Sequence, residues 1–471
     1  MAELEFGKVP EIAMSQASSE LPMPLPGYPG ESPPISREDL LRDRDRRVVL
    51  DARAKKRPLR LLWLLAGPGV LVMLGENDGP SMVSYATTGA TYGIGFFVPF
   101  ILLTFVMAFV VQEMTVRLGA VTHRGHAELI FQRFGPFWGY FAMADLVFGN
   151  LLTLITEFIA IQAGGLYFGV PAWLSVAIGV ALVLASLALR RYATWERALM
   201  ALALFNLLFI PAALFAHPSG AALLHATFAW RPIPGGMTAA FVTLCMANIG
   251  ATVTPWMIFF QQSAVVDKGL TTADIAEGRM DTAIGAILAA IAAIATLAAA
   301  APLFVHHVDV SSFASGADFA TALRPYLGTF GATLFALGII EAGVVAAMTI
   351  STSSAYALGE TTHARHSLNL DFSQGKLFYG AVIVSTVIAA SVVLIPGAPL
   401  LALTLTVNVI ATLLMAPALL FLLLLVNDRE IMGGHANTWR ANLAGGTIVG
   451  LIVVVGGFYG IITVFPDLLG K

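Results

Sequence analysis

Two carboxylates and a hydroxyl lie in one short run, Gly75-Glu76-Asn77-Asp78-Gly79-Pro80-Ser81, inside an otherwise apolar stretch. A second apolar stretch carries Gly250-Ala251-Thr252-Val253-Thr254-Pro255-Trp256. In a bilayer each unpaired backbone group costs several kcal/mol, so a spanning helix breaks only where protein or a water-filled cavity surrounds it. The glycines and prolines of both runs predict such breaks. A carboxylate at that depth is costly and marks a site or a pathway. Asp78, the Ser81 hydroxyl and the carbonyls freed around Gly79-Pro80 make an oxygen-rich pocket for a cation. In the second run Pro255 cannot donate to the carbonyl of Ala251, four residues earlier. That carbonyl is then a ligand, with the Thr254 hydroxyl beside it. All of these are hard oxygens, with no Met, Cys or His among them, a set that suits Mg²⁺, Ca²⁺ and Mn²⁺. Mg²⁺ keeps several waters and needs few direct protein ligands; side chains as small as Ser81 and Thr254 leave room for them. Glu76 and Asn77 adjoin Asp78 and are either further ligands or, the preferred reading, the lining of a vestibule.

The elements that position these residues follow from composition. The chain has 471 residues, 57% hydrophobic and 12% charged, with a mean hydropathy of +0.80. That is too apolar for a soluble protein and indicates many membrane spans. One cysteine, Cys245, excludes an intrachain disulfide and a cysteine-based metal centre. No nucleophile–base pair or phosphate loop is present, so an enzyme is not expected. Residues 1–57 read as a tail: 1–36 polar, proline-rich and disordered, not a signal peptide; 37–57 a short, mixed-charge surface helix with a solvated face, not a nucleic-acid site.

Segments of spanning length fall near 60–90, 94–118, 136–167, 171–189, 198–216, 236–266, 281–305, 329–357, 376–396, 399–426 and 441–464, about eleven in all. Residues 306–328, with His306, His307 and Asp309, read as an outside loop. With the N-terminus inside, the inner loops hold Arg117, Arg124, Arg133, Arg190, Arg191, Arg197, Lys268, Arg279, Arg365, Lys376, Arg429 and Arg440, while Arg231, Arg324 and Lys471 fall outside. This bias places the N-terminus in the cytoplasm and the protein in a cell membrane, plasma or bacterial inner. The breaks fall in spans 1 and 6. Five spans per unit invert the second unit relative to the first, giving an all-α LeuT-type inverted five-plus-five repeat with the breaks facing each other at the midplane. Residues 58–216 form the first repeat and 236–426 the second; 441–464 is an additional span.

Over roughly residues 60–464 the chain resembles the Nramp family of divalent-metal transporters. The resemblance rests on Gly67-Pro68-Gly69, the Asp78 break, Tyr92-Gly93, Gln112-Glu113 to Gly119, and Gly250-Ala251-Thr252. Family members carry Asp-Pro-Gly-Asn in the first break and Met-Pro-His in the sixth span. Here the matching positions read Asp78-Gly79-Pro80-Ser81 and Thr254-Pro255-Trp256. The family methionine favours Mn²⁺, Fe²⁺ and Cd²⁺, and the histidine and an acidic pair on span 3 are implicated in proton coupling. Aligning span 3 by its ending Tyr167-Phe168-Gly169 puts Thr153 and Thr156 where those acids would be and Glu157 one position off, on another helix face. The pattern is similar to the Nramp-related magnesium transporters. The resemblance implies transport of Mg²⁺, with Mn²⁺ as a second substrate, uncoupled from protons, with no resident cofactor and no obligate protein partner. Three alternatives stand beside it: a proton-coupled Mn²⁺/Fe²⁺ importer, an organic-solute carrier of the same fold, and a non-transporting metal sensor. Glu113, Asp145, Glu157 and Glu341 are expected to be hydrogen-bonded in the bundle and not to be ligands. Asn408 in span 10 either reaches the site or makes a helix–helix bond.

Overall fold

The computed structural model describes residues 37–313 and 315–464, and it is all-helical. The tail to residue 36, expected to be disordered, and Lys471 lie outside the described residues. Among the described residues, ten helices or helix pairs are long and apolar enough to cross a membrane, and α2 (Pro58–Leu65) with α3 (Pro68–Glu76) passes as one further pair bent by 54°. The first span is α3 followed by α4 (Gly79–Tyr92). It leads to α5 (Phe97–Thr122), the short α6 (His126–Phe134), α7 (Pro136–Tyr167) and α8 (Ala172–Ser186). Span 5 is α9 (Tyr192–Ala203) and α10 (Phe209–Phe215) joined through a 3-10 turn, and α11 (Gly220–Phe228) leads to the second half.

The second half repeats the order. Span 6 is α12 (Ala239–Gly250) and α13 (Pro255–Lys268), followed by α14 (Ile275–Val305), α15 (Gly316–Thr362), α16 (Lys376–Val393) and α17 (Leu400–Asn427). A four-residue helix, α18 (Arg429–Met432), precedes the additional span α19 (Trp439–Val464). Gly328, at φ 67° and ψ 173°, interrupts α15, so residues 316–327 form a separate segment and the long apolar part starts after it. Corresponding spans of the halves pack together: α5 on α14, α7 on α15, and the half-helices of span 1 on those of span 6. Helices come close both in these pairs and where span 6 meets span 10. A Cβ on Gly250 would lie 1.8 Å from the Asn408 carbonyl oxygen, and one on Gly164 would lie 2.2 Å from Ile340 Cγ1. Small residues permit that approach where no hydrophobic force drives helices together. Exposed Trp173, Leu182, Val453 and Val454 on α8 and α19 face outward, as lipid-covered spans do.

The charged helix α1 (Arg37–Ala54) departs from its expected solvated state. Arg46 and Arg53 both reach Asp274, at 2.5 and 2.8 Å, and Val49 and Ala52 are buried against Leu61, Val265 and Ile275. Opposite charge and an apolar stripe dock it on one end of the bundle. That end, here called the basic face, also gathers Arg117, Arg191, Lys268 and Arg279 in ion pairs.

Candidate metal site at the paired helix breaks

Both predicted breaks are present. Helix α3 ends at Glu76, and Asp78 is extended (φ −75°, ψ 176°) as the N-cap of α4. Its Oδ1 accepts the backbone N–H of Ser81 at 2.8 Å. Pro80 sits in the first turn of α4, where a missing N–H costs nothing. In span 6, α12 ends at Gly250 and Thr254 is the N-cap position of α13, with Pro255 opening the helix. Both α4 and α13 thus start at the centre, and α3 and α12 end there with their last carbonyls.

The breaks are joined by side chains. Thr254 Oγ1 donates to Glu76 Oε2 at 2.7 Å. Glu76 is fully buried, so it does not line a solvated vestibule: its chain position at the last turn of α3 turns it inward toward span 6. Asn77 also leaves the expected vestibule. Its Nδ2 donates to Ala289 O at 2.7 Å and Asn206 Oδ1 at 3.2 Å, and Asn206 Nδ2 returns a bond to Asn77 O. It ties the first break to spans 5 and 7.

Glu157 is hydrogen-bonded within the bundle, as expected, but its place at the first break was not expected. Its Oε2 accepts the N–H of Gly79 at 3.0 Å, so it sits at the first break and not elsewhere in the bundle. Alignment by the end of a 32-residue helix cannot fix a side chain's azimuth against another broken helix. Contact is possible because Gly79 has no Cβ; one there would stand 2.1 Å from Ala160 Cβ and 3.3 Å from Glu157 Oε2. Thr153 and Thr156 instead bond their own helix, to Gly149 O and Thr153 O. Trp256 is buried with its ring 5.9 Å from that of Phe260 and its indole beside the Glu76 carboxyl group. Glu341 contradicts the expected bundle hydrogen bond, because neither of its carboxylate oxygens has one.

Ala251 O, expected to be free, accepts the Tyr85 hydroxyl at 2.8 Å, and that hydroxyl also meets Thr252 Oγ1 at 3.0 Å. A carbonyl has a second lone pair, so the bond does not exhaust it. Tyr85 escaped notice in the sequence, although Asp78, Ser81 and Tyr85 are spaced to share one helix face. Asn408 makes the helix–helix bond, to Ser84 Oγ at 2.9 Å. Ser81 Oγ, Glu76 Oε1 and Glu157 Oε1 are buried and make no hydrogen bond of good geometry, although the Ser81 and Glu157 side chains lie beside the Asp78 carboxyl group and Trp256 beside that of Glu76. Such atoms are rare in folded proteins and mark where a ligand supplies the bonds. Among the described residues no three His, Cys, Asp or Glu side chains converge closely enough to hold a metal alone.

The site is sealed on both sides. Glu76, Asp78, Ser81 and Thr254 are at most 2% exposed. Toward the basic face, Lys268 Nζ reaches Ala66 O at 2.6 Å and Glu196 Oε2 at 2.7 Å, while Asp281 accepts the N–H groups of Gly67 and Gly69. Toward the other face, Asn408 bonds Ser84 and Asn248 bonds Thr88 at 2.7 Å.

Residues 69–462 match the family described as natural resistance-associated macrophage protein-like. The chain belongs to the Nramp family. This Nramp chain is 27% identical over 423 residues to the divalent metal cation transporter MntH of Yersinia pestis, covering 87% of the chain and 98% of the relative. It is 26% identical over 400 residues to MntH of Aeromonas hydrophila, covering 83% and 93%. The fold is that of the Eremococcus coleocola manganese transporter solved with an aromatic bis-isothiourea compound, at TM-score 0.68 and 20% identity over 85% of this chain and 86% of that one. MhsT in complex with L-phenylalanine shares it at TM-score 0.58 and 13% identity, over 84% and 97%. The Nramp chain is therefore a multi-pass membrane protein of the LeuT-type fold.

Proposed function

We propose that this Nramp protein is a divalent-metal transporter that carries Mg²⁺, with Mn²⁺ as a second substrate, by alternating access and without moving protons. Asp78 supplies the charge, and Ser81 Oγ, Thr254 Oγ1 and the second lone pair of Ala251 O supply neutral oxygens. Glu76 adds a carboxylate held in place by Thr254. The observation that carries the reading is chemical: Thr254, whose hydroxyl bonds Glu76, supplies an oxygen at the position where the family resemblance places a methionine sulfur. An all-oxygen site holding a partly hydrated ion has no reason to prefer Mn²⁺ over Mg²⁺.

Opening toward the basic face requires α3 to leave Lys268 and Asp281; opening the other way requires α4 to leave Asn248 and Asn408. With the N-terminus in the cytoplasm, the first motion releases the ion inward. Trp256, Thr153 and Thr156 cannot exchange a proton near neutral pH, which supports uncoupled transport. Membrane potential suffices as a driving force. At 100 mV, inside negative, a divalent cation gains roughly 4.6 kcal/mol. That corresponds to more than about a thousandfold accumulation.

A second reading, a proton-coupled Mn²⁺ importer, is favoured by one observation: the Glu157 carboxyl group sits at the first break beside that of Asp78. Calorimetry of the purified protein against Mg²⁺ and Mn²⁺ tests the ion assignment. Comparable affinities are expected; Mn²⁺ binding with no Mg²⁺ response contradicts it.

A further inference from the structure

A cavity of about 320 Å³ lies on the basic face between α1 and the ends of α2, α9 and α13, well away from the helix breaks. Its charged lining is Arg44, Asp45, Arg46, Arg191, Glu196, Arg197, Asp267 and Lys268. Five of these side chains are basic and three acidic; Asp45 and Glu196 are ion-paired, and Asp267 is held by neutral donors. Asp45 takes Arg191 Nη2 at 2.5 Å, Glu196 takes Lys268 at 2.7 Å and the Tyr192 hydroxyl at 2.8 Å, and Asp267 takes the Tyr356 hydroxyl at 2.5 Å. Arg46 is neutralised from outside the cavity by Asp274. Arg44 and Arg197 are left with no ion pair among the described residues, and Arg191 Nε is buried without a hydrogen-bond partner.

We propose that this cavity is a binding site for a phosphate-bearing anion, held by Arg44, Arg191 and Arg197. Guanidinium groups present forked N–H donors that match phosphate oxygens in pairs, and a cavity with a surplus of positive charge concentrates such anions. The unpartnered Arg191 Nε is a donor awaiting an acceptor, and the volume is that of a compact ligand. Arg44 belongs to α1, while Arg191 and Arg197 flank the start of span 5. The site therefore exists only while α1 is docked, and its occupant ties α1 to the closed end of the bundle. A free polyphosphate and a lipid headgroup share this chemistry.

The full chain is placed in phosphatidylcholine nanodiscs in chelator-treated, metal-free buffer and titrated with inorganic pyrophosphate by calorimetry. Saturable binding is expected. It should weaken at least about tenfold in the double variant Arg44→Ala/Arg197→Ala. It should weaken likewise in Arg46→Ala/Arg53→Ala, which undocks α1 without touching the proposed ligands. Arg440→Ala, on α19, should bind as wild type. Monodispersity and far-UV spectra establish that each variant is folded. A parallel arm uses phosphatidylglycerol nanodiscs. A rise in the thermal midpoint of the wild type there, absent from Arg44→Ala/Arg197→Ala and accompanied by no pyrophosphate binding, identifies a lipid headgroup as the source. Neither response, or equal responses in the wild type and that double variant, overturns the proposal.

Discussion

Thr254 Oγ1 donates a 2.7 Å hydrogen bond to Glu76 Oε2, so the break in span 6 holds a carboxylate that belongs to the break in span 1. The two half-helices are coupled through a buried carboxyl group, and the bond offers a route by which a change at one break is felt at the other.

Asp78→Asn separates charge from capping. Asparagine is as good an N-cap as aspartate, so the Ser81 N–H keeps an acceptor and α4 keeps its start. Mg²⁺ affinity should fall at least about a hundredfold, an order-of-magnitude expectation for losing a charged contact in a buried site. Thermal stability should change little. Calorimetry and a melting curve on the same preparation check both halves.

Thr254→Met introduces a soft ligand and removes the bond to Glu76. Cd²⁺ and Mn²⁺ should gain on Mg²⁺ in competitive uptake. An unchanged Mn²⁺:Mg²⁺ ratio would place position 254 outside the ion's coordination sphere.

Gly79→Ala should destabilise the fold. The new Cβ has Ala160 Cβ 2.1 Å away, so α4 and α7 must separate. Overpacking of this kind costs about 1–3 kcal/mol. The thermal midpoint should drop, and restoring room with Ala160→Gly in the double variant should recover part of it.

Glu157→Gln and Glu157→Ala should differ. Glutamine keeps an acceptor for the Gly79 N–H; alanine leaves it buried and unpaired, at a cost of about 1–3 kcal/mol. If Glu157 only anchors the break, Glu157→Gln transports Mg²⁺ as wild type and Glu157→Ala does not. Loss of transport in both variants would give the carboxyl charge itself a role.

The span order and both breaks were legible because they rest on local rules: apolar length, and Gly-Pro punctuation at Gly79-Pro80 and Thr254-Pro255. Asp78 and Ser81 lie at the first break and Ala251 and Thr254 at the second, with Thr254 bonded to Glu76 across them. What was not legible depends on helix rotation and on contacts between distant segments. Glu157 lies 78 residues from Gly79, and which face of α7 it occupies is set by the packing of α7 on α15 and α4. Asn206 opposite Asn77, and Asp274 beneath Arg46 and Arg53, are likewise tertiary pairings that no spacing within one segment encodes.

The central claim is that Mg²⁺ crosses without protons, and one recording tests it. Wild-type protein in proteoliposomes under an inside-negative potential is given external Mg²⁺, with internal Mg²⁺ and internal pH followed together and empty liposomes as the leak control. The account predicts Mg²⁺ uptake that saturates with concentration, is lost in Asp78→Asn, and leaves internal pH at the leak baseline. Internal acidification that scales with Mg²⁺ and vanishes in Asp78→Asn would contradict it.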